Sequence, residues 1–120
     1  VHILIVDDSK AMRSIVMRAV KAAGFDGSEF REASNGSEAL ASIRRTAPDL
    51  VLSDWNMPEM SGIDLLKALR AEGNAVRLGF LTSESDPAMR QAALEAGALF
   101  VLTKPFTADA VKAALGAVAR

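Results

Sequence analysis

The sequence predicts an α/β domain built on a five-stranded parallel sheet, and two observations carry that prediction. Strand-like and helix-like patterns alternate without a break along the 120 residues, the order in which strand–helix units build parallel sheets. The apolar runs also end in polar residues. Ile3-Leu4-Ile5-Val6 leads into Asp7-Asp8, Leu50-Val51-Leu52-Ser53 into Asp54, Leu78-Gly79-Phe80-Leu81 into Thr82, and Leu99-Phe100-Val101-Leu102-Thr103 into Lys104-Pro105. Parallel strands deliver such ends to one rim, where open parallel sheets hold their ligands.

The first strand is expected over residues 2–6. Met12, Ile15, Val16, Ala19, Val20 and Ala23 then recur at helical spacing and mark one buried face. Ser9 or Asp8 is expected to cap this helix and Gly24 to stop it. Residues 28–33 read as a weak second strand whose Glu29, Arg31 and Glu32 suit an edge. Asn35-Gly36 marks a turn, followed by a helix with Leu40 and Ile43 inward that ends near Pro48. Residues 50–54 form the third strand. Asn56, Pro58 and Gly62 make a loop before a helix carrying Leu65, Leu66 and Leu69. The fourth strand is expected over residues 77–81. Asp86-Pro87 supplies an N-cap and a first-turn proline for a helix that closes at Gly97. Residues 99–102 form the fifth strand, and Thr107 caps a last helix with Ala108, Val111, Leu115 and Val118 on one face.

Composition narrows the function. Residues 1–120 are of single-domain size. The absence of cysteine rules out disulfides and thiolate metal sites and fits a reducing compartment. A net charge of −1 gives no electrostatic case for nucleic acid, and Arg44-Arg45 reads as a solvated helix end. No apolar run approaches the roughly 18 residues that would span a bilayer, and no signal peptide opens the sequence. A cytoplasmic monomer without a nucleic-acid or membrane partner is expected.

The rim gathers three carboxylates, one hydroxyl and one ammonium. Like charges about 4 Å apart repel by about 4 kcal/mol at an effective dielectric near 20. Asp7, Asp8 and Asp54 therefore require protonation or a cation between them. Oxygen-only donors favour Mg²⁺, or Mn²⁺, over zinc. Asp54 is the candidate nucleophile, because a carboxylate can attack phosphorus and hold an acyl phosphate. Phosphoryl transfer needs positioning and charge neutralisation, which a cation on one side and Lys104 on the other would supply, with Thr82 donating to a remaining oxygen. Each residue alone has a plainer reading: a helix cap for Asp7 or Asp8, a strand-end hydroxyl for Thr82, a surface lysine for Lys104.

Taken together, these residues resemble response-regulator receiver domains, most closely the single-domain chemotaxis regulators. The similarity covers essentially the whole sequence. It is strongest over Ser53-Asp54-Trp55-Asn56-Met57-Pro58, through Met60, Gly62 and Leu65-Leu66-Lys67, with Asp7-Asp8, Thr82 and Lys104-Pro105-Phe106 at matching positions. The resemblance implies a flavodoxin-like, doubly wound sheet of order 2-1-3-4-5 with five helices. It implies Asp54 as phosphoacceptor and Asp8 and Asp54 as direct Mg²⁺ ligands. Asp7 would act mainly through water, and the Asn56 backbone carbonyl would complete the ligands. Thr82 would be the switch hydroxyl and Lys104 the phosphate-binding lysine. Asn56, Ser83 and Glu84 would surround the phosphoryl group, with Asn56 and Glu84 influencing its loss to water. The implied partners are a histidine kinase or phosphotransfer protein, a target protein and a phosphatase.

The family usually carries Tyr or Phe three residues before the lysine, where this sequence has Val101. Phe100 is adjacent, but neighbouring strand residues face opposite ways. Activation is therefore expected to be read through Ser83 to Pro87, with Gly79 and Ser83 leaving room for movement. Docking of the target is expected on the face of helix four, strand five and helix five, with Val101, Thr103 and Phe106 supplying contact area. The leading reading is a phosphorylation-controlled module, in chemotaxis or as a phosphorelay shuttle or phosphate sink. An aspartyl-phosphate phosphatase would need an Asp-x-Asp strand end where the acids here are adjacent. A flavin carrier would need a Ser/Thr/Gly-rich loop where Asp-Asp-Ser-Lys-Ala-Met stands. A degenerate receiver would lack the intact set of rim residues.

Overall fold

Strands form where short apolar runs can be buried on both faces, and the chain folds them into one parallel sheet of order β2-β1-β3-β4-β5. The computed structural model describes residues 1–57, 59–83, 86–104 and 107–118, of which 117 and 118 by main chain only. The strands are β1 His2–Val6, β2 Glu29–Ala33, β3 Leu50–Asp54, β4 Leu78–Thr82 and β5 Val101–Thr103. The helices are α1 Lys10–Val20, α2 Gly36–Arg45, α3 Gly62–Ala71, α4 Pro87–Glu95 and α5 Ala108–Val118. α1 continues through a wider π-helical turn, Lys21–Phe25, that Gly24 interrupts with a φ of 107°.

Alternation along β1 divides the core between two layers. Ile3 and Ile5 pack with Val16, Val20, Val111 and Leu115 under α1 and α5. Leu4 and Val6 pack with Ile43, Leu65, Leu66, Leu69 and Phe80 on the opposite face. Side-chain oxygens cap most of the helices: Ser9 accepts from the Met12 N–H, Asn35 from Glu38, Asp86 from Met89 and Thr107 from Ala110, at 3.2, 2.7, 2.8 and 3.0 Å. Ser9 rather than Asp8 is thus the first cap. Ser61 caps α3 by accepting from Asp64 at 3.2 Å, a cap that follows the loop residues and was not expected.

Several expectations are corrected. Ile15 is 51% exposed rather than inward. Met17 packs against the core instead, so the buried arc of α1 is rotated away from Ile15. Ala108 is exposed. β2 starts one residue later than expected, and β4 is shifted by one residue, starting at Leu78 and ending at Thr82. β5 is three residues long and starts at Val101, while Leu99 is 44% exposed. Gly79 leaves no free space: a Cβ there would lie 2.3 Å from the Phe100 ring, which fills the gap. Val101 is buried beneath α4 and offers no contact area to a partner. Arg44 does end α2 at the surface, where its Nε donates to Glu72 at 3.1 Å. Pro58, Glu84, Pro105, Phe106 and the side chain of Val118 lie outside the described residues.

Candidate functional site

The chain reverses direction across the sheet at β1 and β3, which are neighbours although β2 intervenes in sequence. Open α/β sheets bind ligands at such a switch point, beyond the carboxyl ends of the strands. Register fixes who meets whom. Val6 pairs with Ser53, Asp54 with Leu81 and Thr82 with Thr103, so Asp7, Asp54, Thr82 and Lys104 fall along one edge. The ligand oxygens of Asp7, Asp8 and Asp54 all lie within 4.8 Å of one another. Lys104 Nζ stands 3.2 Å from Asp7 Oδ2 and 3.4 Å from Asp54 Oδ1.

The three acids are held differently. Asp7 is 4% exposed, and both its carboxylate oxygens are engaged. Oδ1 accepts from the Ser9 N–H at 2.9 Å and Oδ2 from Lys104 at 3.2 Å. Its N–H continues the β1–β2 ladder to the Ala33 carbonyl at 3.1 Å. Asp8 is exposed, and its carboxylate has no protein partner among the described residues. Asp54 is half-buried and accepts the Trp55 N–H on Oδ1 at 2.8 Å. Burial pushes the Asp54 carboxyl above the usual carboxylate range. The Lys104 charge pulls it back and the Asp7 charge adds to the rise, while hydrogen bonds from Lys104 and Trp55 oppose it.

Main-chain packing sets the position of Asp54. The buried Ser53 hydroxyl donates to the Asp54 carbonyl at 2.9 Å. A Cβ on Gly62 would lie 2.3 Å from that same carbonyl and 2.7 Å from Phe80. Only glycine lets the start of α3 close onto the end of β3, where its N–H donates to the Trp55 carbonyl at 2.8 Å. The Trp55 ring lies 4.9 Å from the Phe80 ring, which ties the residue after Asp54 to the core.

Thr82 is fully buried at the end of β4, and its carbonyl accepts the Lys104 N–H at 2.6 Å. Asn56 and Ser83 are exposed beside the rim, and Glu84 lies outside the described residues. Sequence reasoning missed Arg13, whose Nη1 donates to the Asp7 carbonyl at 2.6 Å and whose Nε donates to Glu32 at 2.9 Å. It also missed the closeness of Gly62 and Ser53 to the Asp54 backbone. Three converging carboxylates with no nitrogen or sulfur donor suit a hard divalent cation. Both Asp7 oxygens and Asp54 Oδ1 are engaged by protein donors, which leaves the Asp8 carboxylate and Asp54 Oδ2 without one among the described residues.

The family model of the response regulator receiver domain matches residues 3–116. This chain belongs to the response-regulator receiver family. Chemotaxis protein CheY-3 of Vibrio cholerae is 41% identical over 112 residues, covering 92% of this chain and 85% of that protein. The structure of Vibrio cholerae chemotaxis protein CheY4 superposes with a TM-score of 0.85 at 34% identity, over 98% of this chain and 97% of that one. The receiver domain of the Francisella response regulator 1452 gives a TM-score of 0.83 at 28% identity, over 98% and 94%. As a receiver related to CheY, the chain is consistent with two-component signalling, and its fold is that of CheY-like receivers. No described helix is long and apolar enough to cross a membrane.

Proposed function

We propose that residues 1–120 form a single cytoplasmic receiver domain that accepts a phosphoryl group on Asp54 and thereby switches its affinity for a target protein in chemotaxis. The observation that carries this reading is the charge arrangement at Asp54, with Lys104 Nζ at 3.4 Å and the Asp7 and Asp8 ligand oxygens within 4.8 Å. The donor is a histidine kinase or phosphotransfer protein. An Asp54 carboxylate oxygen forms a bond to phosphorus as the phosphorus–nitrogen bond of the phosphohistidine breaks, and the departing imidazole nitrogen takes up a proton. Bound Mg²⁺ would neutralise phosphoryl oxygens, held by Asp8, Asp54 and the Asn56 carbonyl, with Asp7 acting through water. Lys104 carries the remaining countercharge, and Thr82 donates a hydrogen bond once the phosphoryl group is in place.

Loss of phosphate requires attack by water on phosphorus, which breaks the Asp54 oxygen–phosphorus bond and returns the carboxylate and inorganic phosphate. Asn56, Ser83 and Glu84 control the approach of that water, and a separate phosphatase would accelerate it. The chain is thus a phosphoacceptor signalling protein, assisting its own modification, rather than an enzyme with an external substrate. The target docks on α4, β5 and α5 through residues that include the exposed Thr103, with Val101 excluded by its burial. The reading is tested by incubation with acetyl phosphate and Mg²⁺, borohydride trapping and mass spectrometry. Label on Asp54 alone is expected. Label on Ser53 or Thr82, or full labelling of Asp54→Asn, would overturn it.

A further inference from the structure

The Asp7 carbonyl belongs to the peptide unit that joins Asp7 to Asp8, and a side chain from α1 pins it. Arg13 Nη1 donates to that oxygen at 2.6 Å while Arg13 Nε donates to Glu32 Oε1 at 2.9 Å. The Arg13 side chain is only 13% exposed. Its guanidinium is a planar fork, so two donors held by two partners fix its plane as well as its position. Asp7 is also anchored by its own N–H on Ala33 and by its carboxylate on Ser9 and Lys104. Asp8 has no such anchor on its carboxylate among the described residues. What directs Asp8 is the orientation of the peptide that precedes it, since the peptide is planar and its tilt sets where the next Cα and Cβ lie.

We propose that Arg13, braced by Glu32, is a positioning residue for the metal-binding acids: it locks the Asp7–Asp8 peptide and so aims the Asp8 carboxylate at the point where the Asp54 carboxylate converges. This inference rests on the metal reading of the acidic rim. Its sign separates it from simple electrostatics. Arg13 is a cation close to a cation site, so removing its charge alone would tighten Mg²⁺ binding. Removing a positioning contact loosens it.

The test is Mg²⁺ titration of the purified protein, read by Trp55 fluorescence, on wild type, Arg13→Gln, Arg13→Lys and Glu32→Ala. Arg13→Gln is expected to weaken Mg²⁺ by about tenfold, the usual scale for a contact that orients a metal ligand. Arg13→Lys, with a point charge in place of the fork, falls between Arg13→Gln and wild type. Glu32→Ala, which keeps the cation but removes its brace, weakens binding in the same direction as Arg13→Gln. Labelling by acetyl phosphate at saturating Mg²⁺ should recover, with only the Mg²⁺ requirement raised. A general loss of fold would not produce that split, and melting curves taken alongside identify it. A wild type with no Mg²⁺ response overturns the metal reading and this inference with it. A responsive wild type matched or exceeded in affinity by Arg13→Gln overturns this inference alone. If Arg13→Gln does not fold, Arg13→Lys and Glu32→Ala decide: affinities equal to wild type in both refute the positioning role.

Discussion

Replacing Asp54 with Asn in the metal-free protein is expected to stabilise the fold at neutral pH. The ligand oxygens of Asp7, Asp8 and Asp54 lie within 4.8 Å, so at an effective dielectric near 20 each of the two neighbours repels the Asp54 charge by about 3.5 kcal/mol or more. Lys104, 3.4 Å from Asp54, offsets about 4.9 kcal/mol of this on the same scale. Water around the exposed Asp8 cuts its share to about 1 kcal/mol or less, so the pairwise charges come close to cancelling and the cost of the ionised Asp54 rests on its burial. Asparagine keeps the shape of the side chain and the oxygen that accepts the Trp55 N–H. That burial is the main cause of the raised Asp54 pKa. A carboxyl whose folded pKa lies above its unfolded value lowers stability at pH values above the folded pKa, and the penalty fades as pH falls through it. Wild type should therefore gain on Asp54→Asn during acidification until the two meet. Thermal melts in chelator, from neutral to acidic pH, measure this, with 1 kcal/mol corresponding to about 4 °C for a domain of this size. Added Mg²⁺ should narrow the gap, because wild type keeps a ligand that the variant lacks. Asp54→Asn melting at or below wild type at neutral pH without metal, or an equal gain in acid, would refute the reasoning.

Thr82→Ala is expected to accept phosphate yet bind target more weakly when phosphorylated, since a hydrogen bond to a charged group supplies about 1.5–3 kcal/mol of the roughly 5.5 needed for a full switch; equal target affinity of the two phosphorylated proteins refutes this. Val101→Ala should cost about 1–2 kcal/mol of stability through lost packing and leave the difference in target affinity with and without beryllofluoride unchanged, which titration of both forms checks; loss of most of that difference would place Val101 in the switch. Gly79→Ala, with its Cβ 2.3 Å from the Phe100 ring, should lose about 1–3 kcal/mol in urea unfolding and regain part of it when combined with Phe100→Leu; an unchanged midpoint refutes the contact.

Two of the three inner strands were legible to the residue, while the third, β4, is shifted by one. β1 and β3 match the expected 2–6 and 50–54, and each must present apolar side chains to two layers at once. The edge was harder. β5 lacks a neighbour on one side, so its apolar run extends beyond the strand: Leu99 still bonds Leu78 through its N–H at 2.9 Å while its side chain stays exposed. On α1, helical spacing alone could not distinguish an arc centred on Met12 and Val16 from one rotated toward Met17, and the choice between them exposes Ile15. Gly79 illustrates a different limit. A missing side chain reads as room, but here the ring from the neighbouring strand occupies it.

At the candidate site, the residues brought together by strand register were legible, because β-strands of one direction deliver their ends to one edge. Those that act on the main chain were not. Arg13 lies six positions beyond Asp7 on a helix and reaches a carbonyl, which has no signature in side-chain type. The same holds for Arg90 on α4, whose Nη1 donates to the Val101 carbonyl at 3.0 Å. That contact bears on the departure at position 101. A link made through the side chain of residue 101 would change with every substitution there, whereas a link to its carbonyl persists whatever side chain the residue carries. α4 is thus joined to β5 by main chain and arginine, and Val101 contributes buried volume beneath the helix. Any shift of α4 relative to β5 would have to carry or release the Arg90 contact, a constraint that a valine or a tyrosine at position 101 leaves equally in force.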